Sequence, residues 1–128
     1  MTAPAVIRLP ELPSRLSGLL GLSLRAGTAK MGEGACLKAI RSGECTALLV
    51  DAAISQGSLK KLTDACAARG VRTVYALPDG SIWAATGRSH MTMALVPGSL
   101  SDRLLEALGQ LSGEQSPPTN DADPGGSC

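Results

Sequence analysis

The alternation of two hydrophobic periods constrains the fold of this chain more than any other feature of its sequence. Short apolar runs at residues 46–50 and 91–96 have the length and composition of buried strands. Longer segments with apolar residues three and four positions apart separate such runs, as helices do. Strands that alternate with helices predict a parallel or mixed sheet covered on both faces. The sequence therefore predicts the fold class α/β, in the form of a three-layer α/β/α sandwich.

Residues typical of helix termini divide the chain into elements. Ser14 and Ser101 are expected to cap the first and last helices, and Ser55 or Ser58 is expected to begin the third. Glycines such as Gly70 are expected to end them. The predicted strands span residues 28–31, 46–50, 71–76 and 91–96, and the predicted helices begin near residues 14, 32, 55 or 58, 78 and 101.

The two ends of the chain differ in composition from its middle. Residues 1–13 contain three prolines and are predicted to form an extended N-terminal arm. Residues 113–128 are polar, acidic and rich in proline and glycine, and they are predicted to be a disordered tail. Such a composition buries too little apolar surface to offset the entropy of ordering. The folded domain is predicted to span residues 14–112.

The formal net charge of +1 conceals a segregation of charge. Residues 14–103 contain eleven Lys and Arg against six Asp and Glu, whereas residues 104–128 contain four acids and no base. A basic body favours a polyanionic partner, although ordinary surface solubility is an equal alternative on charge alone. Because the chain has one Trp, one Tyr and no Phe, it cannot recognise bases through rows of stacked aromatic side chains.

Patterns that carry catalytic or metal chemistry are absent from the sequence. Neither a phosphate-binding loop nor a nucleophile elbow is present, and the single imidazole, His90, has no acid nearby in sequence. The four cysteines have no C-x-x-C spacing, and buried free thiols are expected. Cys36 is the one candidate for a reactive thiol, because it lies near a helix start and close to Lys38. We expect no enzymatic activity, no metal and no cofactor.

No signal peptide or membrane span is expected, which predicts a reduced, cytoplasmic location. Residues 1–10 have no sustained apolar core, and no apolar run approaches the roughly 20 residues of a membrane span.

A glycine-rich turn at residues 32–34 opens the second predicted helix. The free N–H groups at such a start can receive a phosphate. Lys38 and Arg41 lie three positions apart, so they are expected to share a helix face and to grip an RNA backbone together. On spacing alone, an exposed helix with ordinary charges explains the same residues.

Several short motifs in a fixed order carry a resemblance to a known family. They are LLGLSLRAG at residues 19–27, Gly32-Glu33, KAIRSG at 38–43, LLVDA at 48–52, and KKLTDAC at 60–66 followed by Gly87-Arg88. Over residues 14–111 the chain resembles the L-seven-Ae ribosomal-protein superfamily, and within it the bacterial YlxQ-like branch. The resemblance implies a mixed four-stranded sheet and binding to kink-turns, which are sharply bent RNA elements with tandem sheared G·A pairs.

Three patches of RNA-binding residues follow from the resemblance. The helix start is expected to contact guanine edges and phosphates, Lys38 to supply charge, and the region of Met91 to pack on exposed bases. Gly34 and Ala35 replace the side-chain pair that family members with strong kink-turn binding carry, which favours backbone binding over base readout. The patches are Lys30, Gly32, Glu33, Gly34, Lys38 and Arg41; Asp51 and Ala52; and Arg88, Ser89, His90 and Met91.

The predicted partner is structured RNA, either ribosomal RNA or another kink-turn RNA, with the ribosome as its setting. The protein is expected to be a monomer without membrane association. The alternative is a protein–protein adaptor, since the superfamily also resembles Gadd-type stress proteins that bind partners through the same sandwich. Loss of binding at raised salt distinguishes the two, because phosphate contacts release counterions.

Overall fold

The computed structural model describes residues 4–112 as an α/β structure of five strands and five helices. The predicted acidic tail, residues 113–128, lies outside these described residues. No helix within residues 4–112 has both the length and the apolar character needed to cross a membrane. The elements follow in the order β1 (Ala5–Arg8), α1 (Ser14–Arg25), β2 (Ala29–Met31), α2 (Glu33–Arg41), β3 (Ala47–Asp51), α3 (Gln56–Arg69), β4 (Thr73–Leu77), α4 (Ser81–Thr86), β5 (Thr92–Leu95) and α5 (Ser99–Ser112).

One mixed sheet with the strand order β1-β4-β3-β5-β2 forms the middle layer. Strands β1, β4 and β3 run parallel, and β5 runs antiparallel to both β3 and β2. All five residues of β3 are buried, as the apolar composition of this strand predicts for a central position.

The expectation of four strands is wrong by one. Residues Ala5–Arg8, within the predicted extended arm, pair in parallel with β4, so that Val6 lies opposite Val74. An extended segment becomes a strand only when a neighbour is available to it. The neighbouring strand, β4, lies almost 70 residues away in the sequence. Parallel strands are joined by long crossover connections, so no local sequence pattern indicates that the two strands pair.

Two helical layers cover the sheet, which confirms the three-layer sandwich. Helices α2 and α3 pack on one face and α1, α4 and α5 on the other. Strand β5 shows the division most clearly, since Met93 and Leu95 belong to the α1 side whereas Ala94 and Val96 belong to the α2 side. This alternation follows from the period of two along a strand.

The serines predicted to cap helices have three different outcomes. Ser55 caps α3, since its Oγ accepts a hydrogen bond from the Ser58 backbone N–H at 3.1 Å. Ser14 is the first residue of α1 and makes no capping bond. Ser101 lies buried inside α5, and its hydroxyl donates to the backbone oxygen of Thr28 at 2.7 Å. The prediction for Ser14 and Ser101 is therefore wrong, and Ser101 instead fastens α5 to the turn before β2.

The sheet topology brings four loops of the neighbouring strands β4, β3, β5 and β2 together at one end of the molecule. Strands β2, β3 and β4 end there, and β5 begins there because it is antiparallel to β2 and β3. Strand β1 also ends on this side, but at the edge of the sheet farthest from β2. The four loops are residue 32, residues 52–55, residues 78–80 and residues 87–91. We refer to this end of the molecule as the loop end.

Candidate nucleic-acid interface

Asp51 joins three of the four loops at the loop end. Its backbone N–H donates to the Met91 oxygen at 2.8 Å. Its carboxylate accepts from the backbone N–H of Ala53 at Oδ1 and from that of Gly80 at Oδ2, both at 2.8 Å. The residue is buried. Asp51 was predicted to contact RNA, but the structure places its carboxylate beneath the surface, where it fixes the loops that form the surface.

Gly32 joins the fourth loop to this arrangement. Its backbone has φ 93° and ψ 152°, a region that is essentially restricted to glycine. Its N–H donates to the Thr92 oxygen at 3.1 Å, and a Cβ added there would lie 3.3 Å from Cε1 of His90. The imidazole of His90 therefore covers Gly32. The predicted patches at the start of α2 and before β5 are thus in direct contact.

The start of α2 presents backbone donors beside this contact. The first intrahelical bond runs from the Cys36 N–H to the Gly32 oxygen at 2.9 Å. The N–H groups of Glu33, Gly34 and Ala35 come before that bond and have no partner within the helix. Gly34 and Ala35 are exposed. An anion can therefore approach this helix start closely, as the sequence predicts.

The loop before β5 supplies exposed side chains of different chemistry. Arg88, Ser89 and His90 are exposed, and Met91 is 46% exposed although it is a large apolar side chain. Ala52, in the loop after β3, is exposed as well. The loop end thus combines backbone donors, a guanidinium, an imidazole and an apolar side chain within one surface.

Glu33 is engaged with α3 rather than free. Its carboxylate lies 3.0 Å from the Lys61 ammonium. Hydrogen bonds from the Ser58 side chain and from Lys61 hold the pKa of Glu33 below its usual value. The acid that opens α2 is therefore ionised and partnered at neutral pH, so Lys61 offsets its repulsion of a nearby phosphate.

The structure separates Lys38 from Arg41. Lys38 and Lys30 line a cleft on one flank of α2, whereas Arg41 lines a second cleft between α2 and α3. Positions three apart differ by about 60° around a helix axis, which is enough to direct two long side chains to different flanks. The two side chains therefore open towards different clefts, and their joint grip on an RNA backbone stays a prediction. Lys61 and Arg69, which share the second cleft with Arg41, were not anticipated, although Lys61, Ala65 and Arg69 recur every four residues on α3.

Cys36 does not have the environment of a reactive thiol. It is fully buried, and its Sγ lies within weak hydrogen-bonding distance of Oγ1 of Thr92, at 3.5 Å, and of the Lys30 oxygen, at 3.6 Å. Burial raises the pKa of Cys36 to about 11, and it raises those of Cys45 and Cys66 to about 12 and about 11. The thiols stay protonated at neutral pH, so the hypothesis of a reactive Cys36 is wrong.

Comparisons with known proteins identify the fold. No family model and no curated protein matches the chain. A solved structure of a protein of unknown function from Bacillus halodurans C has a TM-score of 0.66 and 22% identity, covering 80% of this chain and 100% of that one. The Giardia lamblia 15.5kD RNA binding protein has a TM-score of 0.59 and 16% identity, covering 81% of this chain and 93% of that one. The chain shares the fold of both.

Proposed function

We propose that this chain binds structured RNA, of the kink-turn or bulged kind, through its loop end, as a member of the L-seven-Ae superfamily. The convergence of four loops on the exposed start of α2 carries the proposal. That start offers backbone donors at Gly34 and Ala35, with the imidazole of His90 against the neighbouring Gly32. A neighbour of the same fold, the Giardia protein, is named for RNA binding, which supports the same partner here.

The chemistry of the loop end favours recognition of RNA shape and backbone. Gly34 and Ala35 have no side-chain donor or acceptor for a base edge, so the start of α2 offers only backbone N–H groups. Met91 offers an apolar surface on which an unstacked base can pack without hydrogen bonds. A bent or bulged RNA presents both a close-set backbone and exposed bases. A plain duplex presents only the backbone.

In this proposal the protein acts by binding alone, as a cytoplasmic monomer in a ribosome-related setting. It needs no cofactor, because positioned backbone amides and basic side chains suffice to hold a phosphodiester. Ribosomal RNA is the RNA that fits this proposal best, because it contains many bulged, single-stranded and bent elements.

A fluorescence titration against two RNAs of equal length tests the proposal. One is a kink-turn RNA and the other a plain duplex, each measured at low and at physiological salt. We expect the kink-turn to bind at least about tenfold more tightly, which corresponds to about 1.4 kcal/mol. If both RNAs bind with equal, salt-sensitive affinity, the protein binds the RNA backbone without recognising its shape. Binding to neither would contradict it and favour the protein-adaptor alternative.

A further inference from the structure

The cleft between α2 and α3 is a basic surface beyond the loop end. We call it the α2–α3 cleft. Basic side chains line its sides, and small residues of α3 form part of its lining. Its residues are Arg41, Lys61, Asp64, Ala65, Ala68 and Arg69.

Two of its basic residues have no acidic partner within residues 4–112. Lys61 pairs with Glu33 at 3.0 Å, and Asp64 pairs with Lys60 at 2.9 Å. The guanidinium groups of Arg41 and Arg69 make no ion pair with any described residue, and both residues are exposed. The cleft therefore retains an excess of positive charge after its internal pairs are counted.

The cleft is continuous with the loop end. Lys61 lines it and also pairs with Glu33, the first residue of α2. Arg41 is the last residue of α2, and Arg69 is the last residue of α3. The nine residues of α2 span about 13 Å. A bound chain that leaves the loop end beside Lys61 therefore reaches the two arginines by following α2.

We propose that the α2–α3 cleft is a second RNA-backbone site, which holds phosphates of a strand leaving the loop end. The inference rests on the proposed function and adds a part of the footprint to it. Lys30 and Lys38 line the cleft on the opposite flank of α2. Helix α2 then has a phosphate-binding cleft on each of its two flanks. This geometry suits an RNA whose two arms diverge from a kink.

The chemistry of the α2–α3 cleft favours RNA over a protein partner. A guanidinium matches the geometry of a phosphate through two parallel N–H donors. Anchor residues of protein interfaces are enriched in Trp, Tyr and Arg and lie in well-packed pockets that exclude water. The arginines of the cleft are exposed, and its apolar side chains are Ala65 and Ala68, so it offers no such pocket.

If the two arginines serve only to stabilise the ends of their helices, a different result is expected. Arg41 and Arg69 each lie in the last turn of a helix, where a cation is favoured by the helix dipole. Such a role changes thermal stability and leaves the salt dependence of RNA binding untouched. Salt dependence is therefore the readout that separates the two roles.

The test compares two double variants of equal charge in the full chain. Arg41→Ala/Arg69→Ala removes the proposed phosphate contacts. Arg15→Ala/Arg103→Ala removes the same charge from the groove between α1 and α5 on the other layer. Each is titrated with a kink-turn RNA that has two long arms, between about 50 and 200 mM salt. Thermal unfolding of both variants, followed by circular dichroism, shows whether each is folded at the titration temperature.

We expect Arg41→Ala/Arg69→Ala to bind about tenfold more weakly than the wild type at physiological salt. The slope of log affinity against log salt should fall in magnitude by about 1.4 to 1.8, the value for two lost phosphate contacts. The control should change the slope by less than half of that. Equal effects of the two double variants would overturn the proposal, because net charge alone would explain them.

Two further measurements keep the outcome clear. Asp64→Asn removes the one acid that lines the cleft, so it should tighten RNA binding about two- to threefold. Shortening the RNA arm that reaches the cleft should abolish the difference between Arg41→Ala/Arg69→Ala and the wild type. If both arms can be shortened without that effect, the cleft holds no RNA. If the wild type does not bind the kink-turn RNA at all, the proposed function itself fails.

Discussion

The loop end and the flanks of α2 use their polar groups in opposite ways. At the loop end, Asp51 and Gly32 are buried, and their polar atoms bond to the backbone of neighbouring loops. On the flanks of α2, Lys38 and Arg41 are exposed and make no ion pair within residues 4–112. Because a group that is already satisfied inside the protein has little left to offer a ligand, Asp51 and Gly32 shape the interface, whereas Lys38 and Arg41 are free to bind.

This difference predicts two classes of variant. Changes at the buried loop-end residues Asp51 and Gly32 should lower the free energy of unfolding and affect binding only through the shape of the surface. Changes on the flanks of α2 should weaken binding and leave the fold intact. If variants of both classes change stability and binding to the same extent, the two sets of residues do not have different roles.

The largest effect is expected for Asp51→Ala. The substitution removes the buried carboxylate that accepts from the backbone N–H groups of Ala53 and Gly80. Two lost bonds to a buried carboxylate should lower the free energy of unfolding by about 3 to 4 kcal/mol. Chemical denaturation monitored by circular dichroism measures this.

Asp79→Ala is the matched control for Asp51→Ala, because it removes the same charge from an exposed residue of a neighbouring loop. It should change the free energy of unfolding by less than about 0.5 kcal/mol. A similar loss in both variants would mean that the charge matters and the buried hydrogen bonds do not.

Gly32→Ala should lower the free energy of unfolding by about 2 to 3 kcal/mol. Alanine is strained at φ 93°, and its Cβ would press on the imidazole of His90 at 3.3 Å. Displacing His90 also moves the loop before β5, so RNA binding should weaken with stability. Denaturant unfolding and the kink-turn titration, performed on the same preparation, measure the two effects.

Gly34→Ala serves as the counterpart to Gly32→Ala two residues away. Gly34 is helical and exposed, and a Cβ there meets nothing within 4 Å. It should raise the free energy of unfolding by up to about 1 kcal/mol, the helical preference of alanine over glycine. If both substitutions destabilise equally, the special conformation of Gly32 is not the cause.

The buried thiols beneath α2 predict a loss of stability at alkaline pH. The folded state raises the pKa of Cys36 and Cys66 to about 11 from 9.0, so it holds protons that the unfolded chain releases. Their contribution is complete below pH 9 and declines as the pH rises towards 11. The slope should reach at most about 1.4 kcal/mol per pH unit for each thiol.

Denaturant unfolding between pH 8 and about 10.5 measures this decline. Cys36→Ala/Cys66→Ala should make the profile less steep and leave the contribution of Cys45, although the variant starts from a lower stability because its smaller side chains leave cavities. A profile equally steep in the variant would assign the decline to other groups.

The sequence predicted most of the fold because its signals there are local. The apolar run at residues 91–96 predicted a buried strand from its length and composition alone, and β5 lies there with helices packed on both of its faces. Strand β1 was missed because its pairing depends on β4, which no local pattern encodes. The prediction that Ser101 caps a helix was wrong because a serine near a helix start is equally suited to a hydrogen bond with a distant segment.

The candidate site was predictable in position but not in the role of each residue. Spacing located the start of α2 and the loop of His90, and the structure brings them into contact. Whether a polar residue is buried or exposed depends on the packing of distant segments, so Asp51 looked the same in sequence as a ligand-binding acid. Arg69 was missed because the cleft it lines exists only once α3 packs beside α2.

The smallest effect, and the one that tests the second region most directly, is expected for Lys38→Ala. It should weaken binding to a kink-turn RNA by about 1 kcal/mol, the loss of one charge-assisted phosphate contact, with no change in the free energy of unfolding. Arg103→Ala is the control of equal charge, since Arg103 is exposed in the groove between α1 and α5 on the other layer. Both variants are titrated at physiological salt. If Lys38→Ala binds as tightly as Arg103→Ala, the flank of α2 beside Lys30 takes no part in binding, and only the start of the helix and the α2–α3 cleft remain as phosphate contacts.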